Sequence, residues 1–179
     1  MAYEEATYSI VYQNDVYEIR NYSDRLAIQV NYTNQNEGFR KLLNYISGSN
    51  IDSTKINMTT PVTQSTKISM TTPVTQSNEN GVKVMQFYLP SNFTKKNVPT
   101  PSDKELKLII IEQGYYAVIK YSGRLTDKNF DKHRKILKDN LLKDNVEILS
   151  SAIRATYNAP FTLPFLRRNE AMFRVVWKN

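Results

Sequence analysis

The amino-acid sequence predicts an α+β domain in which two amphipathic helices pack on a curved antiparallel sheet. Eight segments alternate apolar with polar residues and are rich in β-branched and aromatic side chains, as strands are. Two further segments repeat their apolar residues with the helical period. Each helical segment follows one strand and precedes others, so a strand-helix-strand-strand unit is used twice and pseudo-twofold symmetry is expected.

The predicted strands are distributed along the whole chain. Within each one, apolar residues fall at alternate positions, which places them on one face of a sheet. Ala27 and Ala117 each begin a strand that leads, twelve and thirteen residues later, to a phenylalanine at the start of a helix. This similar spacing is a second sign of internal duplication. The strand segments are 7–13, 16–22, 26–33, 82–90, 106–113, 115–122, 148–157 and 171–177.

The first helix is predicted over residues 36–48. Asn36 can cap its start, and Gly48 can adopt the left-handed backbone that ends many helices. One face of this helix is apolar, because four residues fall at positions 0, 3, 4 and 7 of the helical repeat: Phe39, Leu42, Leu43 and Ile46.

The second helix is predicted over residues 126–144. Thr126 can cap its start, and charged residues occupy the face opposite the apolar stripe. That stripe consists of Phe130, His133, Leu137 and Leu141.

Residues 54–77 contain the same twelve residues twice, TKINMTTPVTQS and TKISMTTPVTQS, with one difference between Asn57 and Ser69. Within each copy, side chains alternate between two faces as they do in a strand. Because proline lacks the backbone N–H that a sheet ladder needs, each copy is expected to pair only up to its proline or to lie at an edge or bulge. A junction at residues 64–66 would make the two copies a hairpin or a protruding ribbon. A duplication that lengthened a surface hairpin and a functional role both remain open.

Length and composition limit the classes of protein. The 179 residues fit a single domain over 1–179, and the absence of cysteine excludes disulfides, thiolate metal sites and cysteine nucleophiles. The sequence lacks a leader pattern and an apolar run long enough to span a bilayer, so we expect a cytoplasmic protein without membrane insertion. The net charge of +7 favours anionic partners, but the basic residues are scattered and predict no nucleic-acid interface.

Enzymatic motifs are scarce. One histidine and no cysteine make a zinc site implausible, and His133 has no G-x-S-x-G partner for a serine triad. The five glycines form no phosphate-binding loop. If the protein is an enzyme, Glu170 is the candidate acid or base, although a carboxylate beside two arginines also suits an anchor for the loop that precedes it.

Four segments occur in a characteristic order: FRKLLNYISGSN, KINMTTPVTQ, VPTPSDKELKL and YNAPFTLPFLRRNEAMF. In sequence and order they resemble the SOUL haem-binding protein family, and the likeness runs through nearly the whole chain. The resemblance implies a distorted antiparallel β-barrel of about eight strands with two helices, a fold also similar to the effector-binding domains of multidrug-responsive regulators. It further implies binding of haem or another tetrapyrrole in an apolar cleft beside the first helix, closed partly by residues 158–170.

A tetrapyrrole site needs apolar walls and cations at its rim, because haem is a flat apolar plate with two carboxylates at one edge. The first helix and the loop at 158–170 supply both kinds of side chain. For the helix leucines, however, core packing explains the same pattern, and the arginines can equally pair with carboxylates. The candidate binding residues are Phe39, Arg40, Lys41, Leu42, Leu43, Met58, Met70, Phe165, Arg167 and Arg168.

Iron coordination is not readily predicted. One branch of the family is associated with a histidine near the first helix, and residues 1–50 contain none, so that ligand does not carry over. His133 lies on the apolar stripe of the second helix, where a packed, hydrogen-bonded residue is the ordinary expectation. Met58 and Met70 occupy equivalent positions in the two repeats, and methionine is usually a space filler. Binding by apolar burial and rim charges is therefore the main expectation.

Two other functions stay open beside haem buffering, transport or sensing. The same scaffold can carry a small-molecule hydrolase or a haem-modifying enzyme, with Glu170 in the catalytic role. It can also serve as an interaction module without a ligand, with the doubled segment as its contact surface. We expect a monomer or a weak dimer whose partner is a small tetrapyrrole.

Overall fold

A computed structural model describes residues 4–67, 82–158 and 161–178. Within these residues the chain forms eleven strands, two helices and one short 3-10 helix at Pro164–Leu166. The helices are α1 (Gln35–Ile46) and α2 (Asp127–Lys143). The strands are β1 (Glu4–Glu5), β2 (Tyr8–Gln13), β3 (Glu18–Tyr22), β4 (Arg25–Tyr32), β5 (Thr59–Thr60), β6 (Val62–Lys67), β7 (Val82–Tyr88), β8 (Lys107–Ile111), β9 (Gly114–Tyr121), β10 (Ile153–Thr156) and β11 (Asn169–Val175).

Nine of these strands form one curled antiparallel sheet, a half-barrel, in the order β2-β3-β9-β11-β10-β6-β7-β4-β8. The remaining two, β1 and β5, pair in parallel. The predicted α+β class is confirmed, and so is the repeated strand-helix-strand-strand unit: β4-α1-β6-β7 and β9-α2-β10-β11 occupy mirrored places in the order. The sheet thus consists of two half-sheets, β2-β3-β9-β11-β10 and β6-β7-β4-β8, joined where β10 pairs with β6.

Each helix covers its own half-sheet. Helix α1 packs on β4 and β7, and α2 packs on β9 and β11. Burial of apolar faces drives this packing, since Leu42 and Tyr45 of α1 and Leu137 and Leu141 of α2 are all fully buried. No helix in the described part of the chain is long and apolar enough to cross a membrane.

The helix ends are determined by local hydrogen bonds. The predicted cap at Asn36 is wrong by two residues, because the Asn34 side chain accepts hydrogen bonds from the backbone N–H groups of Asn36 and Glu37. Gly48 has the expected positive φ of 110°, directly after Ser47, the C-cap residue of α1. Thr126 caps α2 as predicted and accepts from the backbone N–H of Asn129.

The doubled segment does not form the expected hairpin at residues 64–66. These residues lie inside β6, which pairs with β10 on one side and β7 on the other. Pairing also does not stop at Pro61, because the main ladder begins directly after it at Val62, and only the short β5 precedes it. The first copy therefore provides an interior strand of the sheet. From residue 68 onward, the second copy lies outside the described residues.

Gly38 is required by a close approach between α1 and β4. A Cβ atom added to Gly38 would lie 2.9 Å from Cβ of Tyr32 and 3.2 Å from its Cγ. Gly38→Ala is therefore expected to lower the free energy of unfolding by about 1–3 kcal/mol through overpacking, although alanine normally favours a helix. Urea unfolding measures this change. Asn44→Ala, on the exposed side of the same helix, serves as the control, and a stabilising Gly38→Ala would contradict the close approach.

Candidate functional site

An apolar cleft of about 340 Å³ lies beside α1, where the two half-sheets meet. Its wall combines residues from α1, β6, β7, the segment before α2 and the end of β10. Six apolar side chains and one tyrosine give the cleft its character: Phe39, Leu43, Met58, Val62, Met85, Leu125 and Tyr157. The polar lining residues are Gln35, Asn36, Thr60, Gln64, Thr156 and Asn158.

A larger cavity of about 590 Å³ lies beside the start of α1, but most of its lining residues are polar or charged. Lys41, Glu37 and Glu105 are among its lining residues. The amine of Lys41 forms ion pairs with these two carboxylates at 3.3 and 2.6 Å. The smaller cleft is the better match for a flat apolar ligand, because apolar side chains rather than ion pairs form its wall.

Three of the sequence-predicted residues meet in the apolar cleft, namely Phe39, Leu43 and Met58. The Phe39 ring also packs against Phe87, with centroids 5.5 Å apart. Leu42 is not among the lining residues: it is completely buried in the core under α1. Neighbouring helix positions point about 100° apart, so Leu42 faces the sheet while Leu43, 38% exposed, faces the cleft.

The basic candidates on α1 are not among the residues that line the apolar cleft. Arg40 is exposed, and Lys41 belongs to the larger cavity with its two carboxylate partners. Met70 lies outside the described residues, so Met58 is the methionine of the doubled segment that the structure places in the cleft.

The loop that precedes β11 carries the remaining candidates. Phe165, on the 3-10 helix, is 70% exposed and does not line the cleft. The Nε of Arg167 donates a hydrogen bond to the carbonyl of Thr162 at 2.7 Å. The guanidinium of Arg168 lies 3.8 Å from the centre of the ring of Tyr157, a residue that lines the cleft.

Glu170 is the centre of a buried ionic cluster behind Tyr157. Arg20 donates two hydrogen bonds to its carboxylate, both 2.9 Å long, and neither side chain is exposed. The hydroxyl of Tyr157 donates to the same carboxylate at 2.7 Å, and Nε of Arg168 donates at 3.0 Å. Arg20 also pairs with Glu18 at 2.5 Å. The carboxylate therefore connects the cleft wall to the loop and the sheet.

The ionic cluster determines the protonation states of Glu170 and Tyr157. Burial acts to raise the pKa of Glu170, but hydrogen bonds and charge from Arg20, with help from Tyr157 and Arg168, outweigh it and hold that pKa below its usual value. Burial and the neighbouring Glu170 charge raise the pKa of Tyr157 far above its usual value. Glu170 is thus a fully engaged carboxylate and a poor base, and Tyr157 stays a neutral phenol.

His133 lies outside the cleft, on the face of α2 that packs against β9. Its ring stacks on Tyr121 with centroids 4.1 Å apart and planes 7° from parallel. Its Nδ1 is 2.7 Å from the carbonyl of Asn129. The part of the chain that the structure describes holds no group of three or more His, Cys, Asp or Glu side chains able to bind a metal ion.

Several lining residues had no distinct signal in the sequence. Met85 and Val62 lie on predicted or repeated strands, but the alternation does not say which face of a strand borders a cleft. Leu125 precedes α2, and Tyr157 ends a predicted strand. Tyr157 comes near Val62 and Met85 because β10 pairs with β6 at the junction of the half-sheets.

Comparison of the sequence with known families gives one match. The family model described as SOUL heme-binding protein matches residues 3–174. No curated protein sequence matches the chain.

Several solved structures have a similar fold, among them the following three. EcmrR in a complex with DNA has a TM-score of 0.63 and 9% identity, over 89% of this chain and 56% of EcmrR, so this chain spans little more than half of that protein. An uncharacterized conserved protein from Listeria innocua has a TM-score of 0.64 and 9% identity, over 90% and 92% of the two chains. A hydrolase from Listeria innocua has a TM-score of 0.62 and 8% identity, over 93% and 94%. At these identities the likeness extends to the fold alone.

Proposed function

Because this chain belongs to the SOUL haem-binding protein family, we propose that it binds haem or a related tetrapyrrole in the apolar cleft beside α1. The observation that carries the proposal is the apolar wall formed by Phe39, Leu43 and Met58 together with residues of β6, β7 and the end of β10. Burial of a tetrapyrrole face against such a wall is favourable at roughly 25 cal/mol for each Å² of apolar surface removed from water.

The size of the cleft and the chemistry of its lining residues both fit this ligand. The cleft volume of about 340 Å³ falls within the range of small-molecule sites. A tetrapyrrole larger than this space would bind with one edge, the carboxylate edge, in solvent. Two cations adjoin residues of that wall: Arg40 is exposed and follows Phe39 in α1, and the guanidinium of Arg168 lies against the Tyr157 ring.

Coordination of iron is not required for this mode of binding. Tyrosine ligates haem as a phenolate, and Tyr157 is expected to remain protonated because burial and Glu170 raise its pKa. Met58 offers a thioether, but its role in an irregular apolar wall is explained by packing. A site of this kind, without a strong axial ligand, suits reversible binding in haem buffering or transport.

Haemin titration of the full chain tests the proposal. We expect a Soret shift that saturates near one haemin per chain. Leu43→Glu is expected to weaken binding by at least about tenfold, because it introduces a carboxylate into the apolar wall and repels the ligand carboxylates. Leu142→Glu is the matched control, since Leu142 is an exposed leucine on α2 and outside the cleft.

Two further measurements complete the test. His133→Ala is expected to bind haemin like the wild type, since its ring packs on Tyr121 away from the cleft. Protoporphyrin without iron should bind with similar affinity if burial dominates. Absence of saturable binding would overturn the proposal, and equal affinities of Leu43→Glu and Leu142→Glu would place the ligand elsewhere.

A further inference from the structure

The loop before β11 presents an unusual concentration of exposed apolar side chains. Within six residues, Phe161 is 89%, Leu163 55%, Phe165 70% and Leu166 62% exposed. Isolated exposed leucines are ordinary on soluble proteins, but contiguous apolar patches commonly mark a surface that binds something. Residues 161–166, here called the apolar loop, form such a patch and do not line the cleft.

The apolar loop is held in place at its base by hydrogen bonds. The backbone N–H of Gly123 donates to the carbonyl of Pro164 at 2.8 Å, and the backbone N–H of Arg168 donates to the Asn158 side chain at 2.6 Å. Inside the loop, the backbone N–H of Leu166 donates to the carbonyl of Leu163 at 3.0 Å. The backbone is therefore anchored while the apolar side chains project outward.

The neighbours of the loop are basic and apolar. The bond between Gly123 and Pro164 brings the segment before α2 beside the loop, and in that segment Arg124 and Leu125 are both exposed. Lys128 follows in the first turn of α2 and is also exposed. The whole chain carries a net charge of +7, so an anionic surface is attracted from a distance.

We propose that the apolar loop docks this protein on the surface of an anionic lipid bilayer. Phenylalanine and leucine side chains enter the boundary between headgroups and acyl chains, while nearby cations contact acidic headgroups. A projecting loop matches a bilayer better than a rigid protein groove, because a fluid surface closes around any convex shape. The docking is shallow and needs no spanning segment, in agreement with the lack of a spanning helix among the described residues.

The position of the loop gives the docking a direction. Leu125 lies next to the loop contact and also lines the apolar cleft. A bilayer that holds the loop therefore faces the same side of the molecule as this part of the cleft wall. The docking itself is independent of the ligand, because no tetrapyrrole is needed to expose residues 161–166.

Co-sedimentation of the ligand-free full chain with vesicles tests the docking. Vesicles of phosphatidylcholine alone are compared with vesicles that contain one third phosphatidylserine. We expect binding to the acidic vesicles and at least about tenfold weaker partitioning after Phe161→Ser with Phe165→Ser, since each change removes a buried phenyl ring from the lipid. The matched control is Ile51→Ser with Leu142→Ser, two apolar residues of similar exposure, 68% and 60%, outside the loop.

Each other outcome counts against the proposal. Failure of the wild type to bind acidic vesicles overturns it, as does an equal loss in the loop variant and the control variant. Equal binding to neutral and acidic vesicles overturns the part assigned to charge. Sedimentation velocity without vesicles distinguishes a second copy as the occupant: a dimer that the loop variant abolishes would assign the loop to self-association. Haemin titration in the absence of lipid tests the proposed function separately, so a failure of vesicle binding does not count against tetrapyrrole binding.

Discussion

Replacing Arg20 with methionine is expected to lower the free energy of unfolding by about 3–5 kcal/mol, because it leaves the buried Glu170 carboxylate without its main partner. Both side chains are fully buried, and the two bonds between them are 2.9 Å long. Tyr157 and Arg168 still donate to Glu170, so the variant is expected to fold. Urea unfolding at pH 7 measures the loss.

Two controls separate the buried pair from ordinary surface charge. Arg134→Met breaks the ion pair with Asp131, in which both side chains are about half exposed, and should change stability by less than about 1 kcal/mol. Arg20→Met combined with Glu170→Gln removes the unpaired carboxylate and should be more stable than Arg20→Met alone. Equal losses in Arg20→Met and Arg134→Met would contradict the structural role of the cluster.

The same pair predicts a pH dependence with a defined sign. The pKa of Glu170 is lower in the folded protein than its ordinary value of 4.5, so the charged carboxylate stabilises the fold above that pH. This stabilisation is lost as the pH falls through the folded-state pKa. The stability difference between the wild type and Glu170→Gln should therefore narrow on acidification below 4.5, and a difference that widens would be contrary to the lowered pKa.

The second large effect is expected at Leu42, directly beside a residue of the cleft. Leu42→Ala should cost about 2–5 kcal/mol in unfolding free energy, because it opens a cavity among packed core side chains. Leu43→Ala should cost less than about 1 kcal/mol, as Leu43 is partly exposed in the cleft. Urea unfolding of the two variants gives the comparison.

This adjacent pair is its own control, because the two changes are chemically identical. A similar loss in both variants would mean that Leu43 belongs to the core rather than to an open wall. Haemin affinity supplies a second comparison, in which only Leu43→Ala is expected to weaken binding while it remains fully folded.

Much of the fold follows from patterns that the sequence displays directly. Periods of two and 3.6 locate the strands and both helices, since each period determines which residues share a face. The order of elements predicts the two related halves. The interior place of β6 was not predictable, because Pro61 suggests an edge or an interruption, whereas the strand pairs on both sides from Val62 onward.

The candidate site was less accessible from the sequence. The helical period cannot separate Leu42 from Leu43, because an apolar face wide enough to pack on a sheet includes residues at its margin. The place of Lys41 on α1 makes it a candidate, but in the structure it forms ion pairs with Glu37 and Glu105 in the larger cavity. The position of Tyr157 in the cleft wall depends on the pairing of β10 with β6 and on a hydrogen bond to Glu170, thirteen residues later. No local sequence pattern reveals either contact.

The junction of the two half-sheets also bears on how the protein unfolds. Backbone pairing between β6 and β10 runs from Val62 opposite Thr156 to Ser65 opposite Ile153, a short ladder between two larger bodies. The cleft straddles this ladder, with Phe39 and Leu43 on one side and Leu125 and Tyr157 on the other. A molecule bound in the cleft contacts residues on both sides of this ladder. Its binding therefore raises the free energy of unfolding and stabilises the packing of the two half-sheets against each other. Occupancy of the cleft is thereby linked to cooperative unfolding through the pairing of β6 with β10.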